Sequence, residues 1–174
     1  MNRKPIIGLE LIPNNLVTDD RGWVCRLYDA AGRFNLGLGN VDHSLFVFNQ
    51  NALTLRGMHY QINGFEESKI TICVSGRIFD AIIDLRPQSI TYLQTYVGYF
   101  GPQEENIGLA IPAGCAHGYL TLTDHTSVVY FMDQVHSVEN ERGILWDDPQ
   151  FAIPWPIAPQ ILSLRDANHP KFSK

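Results

Sequence analysis

The chain has 174 residues, 45% of them hydrophobic, which is enough to bury a proper core and short for two, so a single domain over residues 1–174 is expected. Eighteen acidic side chains against thirteen lysines and arginines give a net charge of -5, which excludes a general basic field for nucleic acid or an anionic membrane. Cys25, Cys73 and Cys115 are odd in number and lack zinc-type spacing, and no apolar run approaches the ~20 residues of a membrane span, so a soluble cytoplasmic protein with unpaired thiols is expected.

Strands dominate the pattern in chain order. Residues 70–74 and 78–83 are β-branched and apolar and flank Ser75-Gly76, which reads as a hairpin. Residues 92–99 are aromatic and β-branched and read as a further strand. Leu109-Ala110-Ile111 then leads through Pro112 and Gly114 into 119–123, and Asp124-His125 turns the chain into 127–132. If those two residues form the loop, Thr123 faces Thr126 and Tyr119 faces Tyr130, which makes His117 and Tyr130 diagonal neighbours ~7–8 Å apart on one sheet face. The plainer reading of His117, Tyr119, Thr121 and Tyr130 is a polar, solvent-facing side, and the alternation by itself leaves both open. No segment keeps a 3.6-residue period, and short helical turns are expected only near residues 30–33 and after Trp155. Many short strands separated by turns indicate an all-β antiparallel sandwich or barrel.

Two runs carry the chemistry. Ile111-Pro112-Ala113-Gly114-Cys115-Ala116-His117-Gly118 fits the Pro-x-Gly-x-x-His signature of the cupin barrel. Leu55-Arg56-Gly57-Met58-His59-Tyr60-Gln61 departs from the other cupin box, because His59-Tyr60-Gln61 stands where a metal-binding cupin carries His-x-His. One imidazole in place of two argues against a dedicated metal site, and no metal or other cofactor is expected.

Taken with Glu67-Ser68-Lys69, Ser75-Gly76-Arg77-Ile78-Phe79-Asp80, Asp84-Leu85-Arg86, Gly143-Ile144-Leu145-Trp146-Asp147-Asp148-Pro149 and Ile153-Pro154-Trp155-Pro156, these runs follow one family order across roughly two-thirds of the chain. The sequence resembles the nucleotide-sugar epimerases typified by dTDP-4-dehydrorhamnose 3,5-epimerase. The resemblance implies a cupin-type jelly-roll barrel, a homodimer sharing N-terminal strands, and a cofactor-independent epimerisation of a nucleotide-diphosphate 4-keto-6-deoxy sugar.

Moving a proton at a carbon beside a ketone requires a base on one face, an acid on the other and a positive group near the oxygen. An imidazole suits the base because it titrates near neutrality. The resemblance makes His59 that base, Asp166 in Leu162-Ser163-Leu164-Arg165-Asp166 its orienting partner, and Tyr130, thirteen residues after His117, the acid. It also makes Lys69, thirteen residues after Arg56, the oxyanion cation. Arg56 and Arg21, in Asp20-Arg21-Gly22-Trp23, match diphosphate-binding arginines, whose guanidinium forks suit phosphate. Trp23 and Arg26 fall in the base-binding segment, and Gln61, His117, His136 and Arg165 carry over as further substrate-contacting positions. Arg56 and His59 differ by an odd number and should face opposite ways on a regular strand, a conflict that a bulge at Gly57 would remove.

The sequence departs from the rhamnose enzymes in three places. Arg26 replaces a glutamate of the thymine site, Val135 and His136 replace two tyrosines, and residues 48–54 compress a longer approach to the arginine. A CDP- or GDP-linked sugar is thus admitted beside dTDP, and inversion at C3, C5 or both stays open. The alternatives are a 3,4-ketoisomerase, which needs no opposite-face acid, a metal-dependent cupin oxygenase, disfavoured by the missing second histidine, and a sugar-nucleotide-binding barrel without chemistry.

Overall fold

The computed structural model describes residues 6–28, 38 and 40–173. Its strands are β1 (Glu10–Pro13), β2 (Val17–Asp19), β3 (Gly22–Val24), β4 (His43–Asn49), β5 (Leu55–Gln61), β6 (Lys69–Ser75), β7 (Ile78–Asp84), β8 (Thr95–Phe100), β9 (Asn106–Ile111), β10 (Cys115–Thr121), β11 (Thr126–Met132) and β12 (Glu141–Gly143). They form two facing antiparallel sheets, ordered β1-β9-β6-β11-β4 and β12-β5-β10-β7-β8, with β2 and β3 as a separate hairpin. This is the expected all-β jelly-roll barrel. No helix among the described residues is long and apolar enough to cross a membrane.

Both faces of the central strands are covered, which is why they read as apolar runs and not as clean alternation. Ile78 and Ile82 of β7 point into the barrel with Cys73, Leu109, Ile111, Cys115, Tyr119 and Val128. The opposite parity of the same strand, Ala81 and Ile83, packs outward with Met58, Ala116 and Ile144 beneath Trp155 and Phe172. Outside the other sheet, Ile70, Ile72, Ile107 and Ala110 lie under Leu16, Leu27 and Tyr28 of the N-terminal segment. The three cysteines are unpaired, and burial pushes the Cys73 and Cys115 thiols up to about 12.

The structure corrects several local expectations. Ser75-Gly76 does not close a hairpin: β6 pairs with β9 and β11, while β7 pairs with β8 and β10 in the other sheet. Asp124-His125 likewise carries the chain from β10 in one sheet to β11 in the other. A turn signal marks where a strand stops and is silent on whether the next one pairs with it. The two corners brace each other, Arg77 N–H donating to Thr123 Oγ1 at 3.0 Å and Leu122 N–H to the Arg77 carbonyl at 2.8 Å. The strand expected from residue 92 starts at Thr95, because Leu93 N–H donates to the Asp84 carbonyl and the Thr91 hydroxyl to the Asp84 carboxylate, holding the preceding residues in turns. The only helix among the described residues is α1 (Leu164–Ala167), a single turn after Trp155 as expected; residues 30–33 lie outside the described region.

The parity conflict on β5 is resolved as expected. His117 pairs with His59 and Tyr119 with Arg56, so two steps on β10 oppose three on β5, a bulge that turns Arg56 and His59 to the same interior. The Gly57–Met58 peptide is cis. Gly57 sits at φ 138°, and a Cβ on it would lie 2.4 Å from Gly118 Cα. Gly57→Ala should therefore lose the left-handed penalty plus the ~1–3 kcal/mol of overpacking, whereas Gly64→Ala, at φ 82° with nothing within 4 Å, should lose only the first, ~1–2 kcal/mol. Urea denaturation of both variants checks this, and equal losses would contradict the close-approach account.

Candidate active site

Inside the barrel the apolar filling gives way to a cavity of about 580 Å³. One wall comes from the β5 sheet, with Arg56 and His59, and the other from the β11 sheet, with Tyr130 and Met132. Lys69 and His117 line it as well, and Ser163, Arg165 and Asp166 close one side from the C-terminal segment.

His59 Nε2 lies 2.8 Å from Asp166 Oδ1, so Nδ1 is the ring nitrogen left for a ligand. Asp166 is placed by local sequence logic: Ser163 caps α1 by accepting the Asp166 N–H at 2.9 Å, which anchors the carboxylate's backbone. Burial alone would raise the Asp166 carboxyl, but the His59 hydrogen bond and charge, His169 and the Gly57 amide together hold it below its ordinary value. An ionised Asp166 fixes the Nε2–H tautomer of His59 and strengthens it as a base. His169, not singled out by sequence, joins this pair, with Nε2 3.5 Å from Asp166 Oδ1 and its ring edge-on to His59 at 5.4 Å. Desolvation and the neighbouring His59 charge push its pKa down. Among the described residues these three groups present ligand atoms all within 4.8 Å of one another.

Two more carboxyl groups with little exposure lie near the cavity, one against a lysine and one against a histidine. Lys69 Nζ meets Glu67 Oε1 at 2.7 Å, and Glu67 Oε2 accepts from Gln61 Nε2 at 3.0 Å. His117 Nε2 lies 2.8 Å from Asp80 Oδ1, though off the alignment of a good hydrogen bond. Burial pushes the Asp80 carboxyl up, against the pull of His117, the Ala81 amide and Lys69. Tyr130 keeps an edge on the cavity 5.9 Å from the His117 ring, and it is packed deeply enough that burial, then Tyr119 and Asp80, raise its hydroxyl well above the usual phenol range. It is therefore a neutral donor at physiological pH.

At the mouth, Arg56 Nε donates to Asn49 Oδ1 at 2.8 Å, and Asn49 in turn contacts the Tyr119 hydroxyl. His136 and Arg165 both hold Glu141 Oε2, at 3.1 and 2.9 Å. Burial would raise the Glu141 carboxyl, but Arg165 and His136 outweigh it and keep it ionised.

Of the residues singled out by sequence, His59, Asp166, Tyr130, Lys69, Arg56, His117, His136 and Arg165 meet at this one cavity. Gln61 does not. Its amide is spent on Phe65, Glu67 and Val135 carbonyl or carboxylate oxygens and on the Ser137 N–H, so it shapes the strand end that carries Glu67 and touches no ligand space here. Arg21 pairs with Asp19 on the exposed β2–β3 turn, Trp23 lies exposed beside it, and Arg26 lines a separate shallow hollow with Pro13, Val17 and Val24. Glu67, Asp80, Glu141 and His169 were missed. Asp80 carried a readable signal, since it shares inward parity with Ile78 and Ile82 and an acid there needs a partner.

The family model described as dTDP-4-dehydrorhamnose 3,5-epimerase matches residues 3–174. A dTDP-4-dehydrorhamnose 3,5-epimerase of Shigella flexneri is 40% identical over 118 residues, 68% of this chain and 65% of that protein, so the chain covers a little under two-thirds of that relative's length. The structure of the Bacillus anthracis dTDP-4-dehydrorhamnose 3,5-epimerase with TDP and PPi bound superposes with a TM-score of 0.84 at 32% identity, over 94% of this chain and 99% of that one. The Legionella pneumophila dTDP-6-deoxy-D-glucose-3,5-epimerase in complex with dTDP-4-keto-L-rhamnose gives 0.87 at 29% identity, over 98% and 90%. With a family match across nearly the whole sequence and the same barrel throughout, the chain belongs to the dTDP-4-dehydrorhamnose 3,5-epimerase family.

Proposed function

We propose that the chain is a cofactor-independent epimerase of a nucleotide-linked 4-keto-6-deoxy sugar, inverting C3, C5 or both through an enolate. The observation that supports it most is that an oriented imidazole, His59 on Asp166, and a neutral phenol, Tyr130, line one cavity from opposite sheets. His59 Nδ1 takes the proton α to the C4 ketone, and the Lys69 ammonium, with His117 beside it, meets the charge that develops on the oxygen. Tyr130 delivers a proton to the other face, and both groups return to their starting states by exchange with solvent. Arg56 and Arg165 lie on the cavity where a diphosphate would enter. The relatives that hold TDP or a dTDP sugar make dTDP the first carrier to test. CDP and GDP sugars belong beside it, since Arg26 changes the base-binding segment.

The protein also works as a homodimer in this reading. Val17 (67% exposed), Val24 (64%), Phe46 (67%) and Phe48 (52%) leave apolar side chains uncovered on the β2–β3 hairpin and the edge strand β4. Arg21 and Trp23 lie on that same hairpin, away from this chain's own cavity, and a second copy would let them reach its neighbour's. Sedimentation at micromolar concentration should give a dimer and Phe46→Asp should weaken it; a wild-type monomer would contradict the dimer.

In heavy water, His59→Ala should lose at least the ~10²–10⁴-fold typical of a general base and stop deuterium uptake beside the ketone. Retained uptake would move the base elsewhere. Tyr130→Phe should separate the two half-reactions. The enolate still forms, so NMR should show deuterium washing in through His59 while inverted sugar falls by a similar factor of ~10²–10⁴. Unchanged inversion would remove Tyr130 from the mechanism.

A further inference from the structure

We infer that His59, Asp166 and His169 form an inhibitory binding site for a borderline-soft divalent cation, Zn²⁺ being the best match. The inhibitory part rests on His59 being the base; the binding part does not. Their ligand atoms already cluster, with His59 Nε2 at 2.8 Å and His169 Nε2 at 3.5 Å from Asp166 Oδ1, all three within 4.8 Å. Two imidazoles and a carboxylate around one point are a ligand set that zinc accepts with a fourth position left for water, at metal–ligand distances of about 2.0–2.2 Å. Magnesium and calcium prefer all-oxygen shells.

The second observation is the state of His169 itself. Its side chain is only 8% exposed, and Nε2 is buried without a hydrogen-bond partner, aimed at the shared carboxylate. Such an orphan nitrogen is costly, yet the ring is locked in place. Gly143 makes room for it, since a Cβ there would fall 2.2–2.3 Å from the imidazole. The backbone that follows it is pinned by the Leu145 N–H to the Pro170 carbonyl at 2.9 Å and the Phe172 N–H to Asp148 Oδ2 at 2.6 Å. This site is separate in kind from a cupin metal box, for two of its three ligands come from the C-terminal segment outside the strands.

The consequence for chemistry follows from proton bookkeeping on one ring. An ion on His59 Nε2 displaces the hydrogen bond to Asp166, and the proton of the neutral imidazole moves to Nδ1. The nitrogen left for the sugar then carries N–H and has no lone pair with which to take a proton. The ion therefore stops catalysis and supports none of it.

The test uses the full chain, freed of metal by chelation, with ZnCl₂ titrated by calorimetry and CoCl₂ by visible absorption. One Zn²⁺ per chain is expected, with a tetrahedral cobalt spectrum, loss of deuterium uptake on loading, and recovery with EDTA. His169→Asn should weaken Zn²⁺ binding by at least the ~10–100-fold that even outer-sphere changes cost. Asp166→Asn provides a second variant should the first not fold. Absence of stoichiometric binding, or binding that neither variant weakens, overturns the site. Binding that needs His169 but leaves deuterium uptake intact upholds the site and refutes His59 as the base.

Discussion

An ionised carboxylate taken out of water is strongly disfavoured unless a partner charge and hydrogen bonds replace its hydration. The interior of this barrel nevertheless contains three carboxyl groups. Asp80 is fully buried, and the Glu67 and Asp166 side chains are 11% and 7% exposed. Each meets a nitrogen at 2.7–2.8 Å: His117, Lys69 and His59 respectively. The side chains that carry these nitrogens line the cavity. Pairing thus sets which atoms confront a substrate, because a side chain that must satisfy a buried acid on one side has only its other side to offer. His59 shows this most clearly, with Nε2 committed to Asp166 and Nδ1 left over.

Inverting a carbon centre needs groups above and below the sugar ring, and one sheet cannot supply both. Two sheets packed face to face stand about 10 Å apart, room for a ring between them. Both corners that the turn residues suggest as hairpins are instead passages between sheets, and those passages put β5 and β11 on opposite walls. The bulge at Gly57 completes the arrangement, since it turns His59 inward without turning Arg56 out and lends its amide to Asp166. A regular β5 would give either the base or the arginine, never both.

How much of this was legible depended on the range of the signal. The period of two in the strands holds locally, so His117 and Tyr130 share a parity, but they stand on opposite sheets and not as diagonal neighbours on one face, because the hairpin invoked to join them does not exist. Their rings meet at 5.9 Å across the barrel, and Thr123 does face Thr126 at 3.0 Å. The shared parity survives because a corner preserves inward parity as a hairpin does. The odd spacing of Arg56 and His59 was likewise enough to require a bulge. Sheet assignment was not legible, because β7 is buried at every position and its pattern says nothing about its neighbours. His169 and Glu141 were invisible for another reason. Their significance lies in contacts to Asp166, Arg165 and Gly143, in a segment with no periodicity to say where it docks.

That segment is where the site is completed. A four-residue helix has no stability of its own, since nucleation alone exceeds what so few hydrogen bonds return. What holds α1 is external: the Ser163 cap, the His59–Asp166 bond, the Leu145–Pro170 and Phe172–Asp148 hydrogen bonds, and the Phe151–Phe172 ring contact at 5.5 Å. Apart from the cap, which is internal to the tail, each of these ties the tail to the β5 sheet or to the loop that follows β12. Docking of the tail and orientation of the base are therefore a single equilibrium. Anything that loosens Phe172 or Pro170 from the barrel withdraws Asp166 from His59, leaving an imidazole whose tautomer nothing fixes, even though every strand of the barrel remains in place.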